Sequence, residues 1–99
     1  MQEATLCFPI RDREVLLIEK KRGLGAGKIH GPGGKLEDGE TPRGAVTREV
    51  REEVGTSIIG EWKVGELEFV MDEVEDMLVH VFRARNLDGQ VTETEEAIP

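Results

Sequence analysis

One segment of this 99-residue chain writes both of its own ends. Thr41 can serve as an N-cap, Pro42 follows at the first helical position, where its missing N–H costs nothing, and Gly55 offers a left-handed stop. The spacing predicts a helix from Pro42 to Val54. Val46, Val50 and Val54 recur every four residues beside Ala45, an apolar stripe suited to burial against a sheet. The rest of the chain has to be arranged around that helix.

Next to the stripe stand Glu49, Glu52 and Glu53, neighbours at i, i+3 and i+4 within an arc of roughly 100°. Like charges at that spacing repel by about 0.2–0.5 kcal/mol per pair, and anions sit badly near a helix C-terminus. Neutralising Glu53 is therefore expected to leave folding intact or slightly improved. A hard divalent cation would reverse the repulsion, and Mg²⁺ binds through a few carboxylates plus substrate phosphates. From the helix alone, a solvated face with Arg48 and Glu52 as a surface ion pair is the simpler account.

Length and charge narrow the choices. One domain is expected over residues 1–99, near the small end of what buries a core. A net charge of −8 and a pI near 4.8 argue against a nucleic-acid polymer or an anionic membrane as partner, because either would be repelled. The single cysteine, Cys7, lies in an apolar run and reads as core. With neither a leader-like stretch nor an apolar run of about 18 residues, the expected compartment is a reduced cytoplasm.

Along the chain, Thr5 to Ile10 and Glu14 to Lys21 read as two strands joined by a tight turn at Arg11-Asp12-Arg13. Pro9 pushes the first toward a sheet edge or a bulge, and the continuously apolar run from Val15 to Ile18 predicts a second strand covered on both faces. Six glycines lie between Arg22 and Lys35, with Lys20, Lys21, Arg22, Lys28 and Lys35 around them. No Walker or dinucleotide-binding pattern fits, so the plainer reading is a flexible loop whose backbone approaches a ligand closely. Ile58 to Asp72 and Met77 to Arg85 are expected strands joined by the acidic Asp72–Asp76 stretch, with His80 a satisfied structural histidine. Asn86 to Gly89 reads as a turn, and Gln90 to Pro99 as a solvated acidic end.

The segment also fits Gly-x5-Glu-x7-Arg-Glu-U-x-Glu-Glu-x-Gly-U, where U is a bulky aliphatic residue, at Gly34, Glu40, Arg48, Glu49, Val50, Glu52, Glu53 and Gly55. Only Thr56, at the last position, departs. On these residues the chain resembles the Nudix hydrolases. The run Lys20 to Lys28, leading into Gly31-Pro32-Gly33-Gly34-Lys35, is similar to the MutT-like branch that acts on oxidised purine nucleoside triphosphates.

The resemblance implies an α/β fold, an α/β/α sandwich around a mixed sheet, and Mg²⁺- or Mn²⁺-dependent cleavage of a nucleoside triphosphate to monophosphate and pyrophosphate. It implies that Glu49, Glu52 and Glu53 bind metal, one of them orienting or deprotonating water, with the Gly34 carbonyl and Glu96 assisting. Arg48 would hold the glutamates by ion pairs and Glu40 would support them from within. Lys20, Leu24, His30, Gly33, Gly34, Lys35 and Phe69 would contact substrate. Hydrolysis of ADP-ribose or a dinucleoside polyphosphate, and nucleotide binding without turnover, are the alternatives. Relatives continue past the position of Pro99 by about one strand and a helix. Without these, apolar sheet is expected to be exposed or shared, giving a homodimer with broad base selectivity.

Overall fold

The computed structural model describes residues 1–23, 26–70 and 75–99. Helix α1 runs Pro42–Val54. Its Thr41 cap is extended (φ −82°, ψ 157°) and accepts from Gly44 N at 3.1 Å, and Gly55, at φ 78°, donates its N–H to Arg51 O at 3.0 Å. Both ends are thus closed by local chemistry.

Among the described residues, seven strands form two sheets. In the larger, β1 (Gln2–Arg11) lies parallel to β6 (Met77–Leu87), with β5 (Ile58–Phe69) antiparallel on one flank and the short β2 (Glu14–Val15) on the other. In the smaller, β3 (Ile18–Lys20) lies between β4 (Ile29–His30) and β7 (Ala97–Ile98). The valine stripe of α1 packs with Cys7, Phe82 and Ala84 of the central strands and with Ile18 and Ala97 of the smaller sheet. Each fully buried valine is worth on the order of 2 kcal/mol. Burial also pushes the Cys7 thiol up to about 12, as a core cysteine requires. Alternation along the strands sends Ala4, Leu6, Met77, Val79 and Val81 to the opposite face, a second and smaller cluster.

Several local expectations change in three dimensions. The apolar run after the hairpin is two short strands in different sheets. Ile18 is buried, whereas Val15 and Leu17 are about half exposed, so the run is not covered on both faces. Pro9 lies inside a non-edge strand, opposite Ala84 of β6. Its missing N–H costs little there, because β1 exchanges partners at that point: Cys7 N donates to Pro32 O, while Pro9 O accepts from Leu16 N. Strand β6 continues through Asn86 and Leu87, pairing with Ile59 and Ile58, so the expected turn begins only at Asp88. Thr56 is buried, and its hydroxyl accepts from Gly89 N at 2.8 Å, a polar substitute for the aliphatic contact. Of the acidic stretch between β5 and β6, Asp72 and Glu73 lie outside the described residues.

Candidate active site

The end of the glycine-rich segment, residues 32–36, lies along β1. Thr5 N donates to Gly34 O (2.8 Å), Cys7 N to Pro32 O (2.7 Å) and Leu36 N to Glu3 O (3.0 Å). Gly33 has φ 154°, and a Cβ there would stand 2.1 Å from Thr5 O. At Gly33 the close approach that glycine permits is to the protein's own strand. Gly34 serves differently: a Cβ on it would meet the Glu49 carboxylate at 2.7 Å. Its bareness lets the helix carboxylate come against the loop.

Arg48 organises the helix face. Its Nε and Nη2 grip Glu40 at 2.7 and 2.8 Å, its Nη1 reaches Glu49 at 2.8 Å and Glu52 at 3.2 Å, and Nη2 also donates to Lys35 O at 3.2 Å. The fork geometry of guanidinium makes this sharing possible. Arg48 holds the Glu40 carboxyl down at about 2, whereas burial pushes Glu49 up against the opposing pull of Arg48.

Glu53 is the most enclosed of the three, with its side chain 1% exposed. Its Oε1 accepts from Gly33 N at 2.7 Å. Its Oε2 is paired with the ammonium of Lys20, itself buried, which also donates to Gly33 O at 2.5 Å. Burial raises the Glu53 carboxyl, with Lys20 opposing. Among the described residues, no three His, Cys, Asp or Glu side chains converge closely enough to hold a metal ion. Arg48 draws Glu49 and Glu52 one way and Lys20 holds Glu53 another. The donor set, all oxygen and mostly carboxylate, is still of the kind that a hard cation takes.

Two clefts meet at Gly34. One, of about 360 Å³, is lined by Lys20, Arg22, Gly34, Lys35, Glu49, Glu52 and Glu96, so cations and carboxylates face the same space. The other, of about 430 Å³, is bounded mainly by apolar side chains, among them Leu67, Phe69, Met77 and Val79, with Lys28, His30, Gly33 and Gly34 at its rim. His30 Nδ1 lies 2.7 Å from Gly31 O. The residues singled out from the sequence therefore divide between the two clefts. Glu53 sits behind the charged one, Arg48 lines it, Glu40 braces Arg48, and Leu24 lies outside the described residues.

Glu96 departs from the solvated tail expected of its neighbours. It accepts from Arg22 Nε and Nη2 at 2.9 and 2.6 Å, and these bonds hold its carboxyl below the usual range. Thr92 and Thr94, which fasten this segment to α1, carried no signal in the sequence. Their only trace there is a hydroxyl at alternate positions.

A family model described as the NUDIX domain matches residues 1–98. Over 96 residues the chain is 44% identical to the oxidized purine nucleoside triphosphate hydrolase of Danio rerio and 43% identical to the protein of that name from Mus musculus. Each comparison covers 96% of this chain and 62% of the relative, so the chain spans less than two-thirds of their length. Among solved structures, a MutT NUDIX hydrolase from Burkholderia pseudomallei superposes with a TM-score of 0.85 at 25% identity, covering 99% of this chain and 78% of that one. The mixed α/β fold is common to both. No helix in the described residues is long and apolar enough to cross a membrane.

Proposed function

The chain belongs to the Nudix family, and on that premise we propose that it is a cytoplasmic, Mg²⁺- or Mn²⁺-dependent hydrolase of a nucleoside triphosphate, with an oxidised purine such as 8-oxo-dGTP as the candidate substrate. The observation that carries this reading is the junction at Gly34, where a cleft of cations and carboxylates adjoins an apolar one. A nucleotide has that same division, phosphates at one end and a flat base at the other. Arg22 and Lys35 would meet phosphate oxygens, with the Lys20 ammonium held back against Glu53, while Phe69, Leu67 and Met77 would offer the base an apolar wall and His30 a polar edge.

Glu49, Glu52, Glu53 and Glu96, with the Gly34 carbonyl, are the residues that would hold the metal. A bound divalent cation supplies charge neutralisation at the phosphates and acidifies water. In the reaction water attacks one phosphorus, the bridging P–O bond breaks, and pyrophosphate leaves with the bonding electron pair. The water proton passes to a carboxylate of the Glu49, Glu52, Glu53 set. Glu49 suits this role because its carboxylate faces the charged cleft and stands against Gly34. Arg48 keeps that carboxylate oriented, and Glu40 keeps Arg48 in place.

The test is a substrate panel with Mg²⁺: ordinary and 8-oxo nucleoside triphosphates, ADP-ribose and a dinucleoside polyphosphate, following pyrophosphate and phosphate separately. Pyrophosphate from the triphosphates supports the proposal. Turnover confined to ADP-ribose or the dinucleoside compound would replace the substrate, and no turnover of any would leave a binding module.

A further inference from the structure

The end of α1 and the segment that carries Glu96 are joined through one side chain. Thr94 Oγ1 donates to the carbonyl of Glu53 at 2.8 Å and accepts from the backbone N–H groups of Glu96 and Ala97 at 3.1 and 3.3 Å. The Glu53 carbonyl is one of those that a helix leaves without an intrahelical partner at its C-terminus, and the hydroxyl satisfies it. All three hydrogen-bonding capacities of the hydroxyl are used. Thr92 makes a parallel attachment one residue further along the helix, donating its N–H to Val54 O at 2.9 Å. On the far side, Glu96 O accepts from Lys21 N at 2.8 Å, which ties the same residue to the end of β3.

The backbone of Glu96 is thus pinned between α1 and the smaller sheet, and its carboxylate opens on the charged cleft opposite Glu49 and Glu52. We propose that Thr94 is a positioning residue: its hydroxyl fixes Glu96 against the helix turn that carries Glu52 and Glu53, so that carboxylates from two separate segments keep one spacing across the cleft. This rests on the reading of that cleft as the metal and phosphate site. A shift of about 1 Å in such a constellation can cost as much as a hundredfold in rate, although Thr94 touches neither substrate nor metal.

The test is a double-mutant cycle in the full chain. Thr94→Val, Thr94→Ser, Glu96→Gln and the Val/Gln double variant are compared by steady-state hydrolysis and by Mn²⁺ binding to the free protein, read by electron paramagnetic resonance. Thr94→Val should lower kcat about tenfold with KM changed by less than about twofold, and should weaken Mn²⁺ binding severalfold. Thr94→Ser, which keeps the hydroxyl, should recover both. In the Glu96→Gln background, Thr94→Val should add less than about twofold, because its effect runs through Glu96. Should Thr94→Val not fold at the assay temperature, Thr94→Ala, measured cold where circular dichroism shows it folded, takes its place in the cycle. Multiplicative losses, or a Glu96→Gln variant with normal kcat and normal Mn²⁺ binding, would overturn the proposal. If no substrate turns over, the functional reading fails by itself, and the Mn²⁺ cycle still decides the role of Thr94.

Discussion

Lys20 and Glu53 form a buried ion pair linking β3 to α1, with the Lys20 ammonium against Glu53 Oε2 and donating to Gly33 O. The sequence presents Glu53 as one of three mutually repelling carboxylates, yet while Arg48 serves Glu49 and Glu52 from the same helix, Glu53 is fully buried against a counter-charge from another strand. Burying either group alone would be costly, and their pairing offsets that cost.

Glu53→Gln is therefore expected to destabilise the protein, contrary to the mild gain that i,i+4 repulsion alone suggests. The substitution would leave a neutral amide facing a buried ammonium, and breaking such a pair costs on the order of 3 kcal/mol. Turnover should fall about a hundredfold or more at saturating Mg²⁺. Denaturant unfolding checks the first expectation and hydrolysis of the triphosphate panel the second; a variant as stable and as active as the parent would remove Glu53 from the site.

Divalent metal should raise the melting temperature. Binding to the native state alone stabilises by about 2.7 kcal/mol when the ion is present at a hundred times its dissociation constant. Melting curves in chelator and in millimolar Mn²⁺ make the comparison. Identical curves would mean that the carboxylates are a solvated, ion-paired face.

Gly34→Ala should impair activity more than stability. The added methyl would stand 2.7 Å from the Glu49 carboxylate, the mobile end of a side chain, so the carboxylate yields before the backbone does. We expect kcat to fall about tenfold or more. Gly33→Ala should instead lower stability severely, since its methyl meets the backbone of β1 at 2.1 Å. Reversed behaviour of the two variants in paired melting and rate measurements would contradict the placement of this loop.

Acid stability should report on Glu40. Arg48, helped by the Glu37 N–H, holds its pKa at about 2 against an ordinary 4.5. A carboxyl depressed in the folded state contributes stability that is present above 4.5 and lost as pH falls toward 2. Glu40→Gln should therefore be less stable than the parent at neutral pH and approach it as pH drops through that window. A constant difference from pH 7 to pH 2 would show that the carboxylate charge is not what holds Arg48.

Self-association is expected through β5. This long strand is at the edge of the larger sheet and exposes Trp62 and Val64, 38% and 49% accessible, and an unpaired apolar edge is a template for a second copy. Light scattering at high micromolar concentration should find a homodimer, which a charge placed at Val64 should dissociate. A monomer would refute it. The polar side chains lining the apolar cleft are Thr5, whose hydroxyl is turned to Gly34 O, Lys28 and His30, so kcat/KM is expected to vary little across bases in the same panel.

The sequence alone determined α1, because its cap, its proline, its valine stripe and its terminal glycine act within a few residues of one another. It also determined which carboxylates share a helix face, since that follows from helical period, and it marked Cys7 as core. Tertiary structure decided their partners. Whether Glu53 repels its neighbours or pairs with Lys20 depends on where β3 lies, and whether the glycines serve a ligand or β1 depends on which strand edge the loop meets. The run from Val15 to Ile18 could not reveal that it serves two sheets, nor could Asn86 and Leu87 show that β5 extends far enough to pair with them. Thr94 carries no local signature at all: its hydroxyl matters only because the fold brings the Glu53 carbonyl, 41 residues away in sequence, within 2.8 Å.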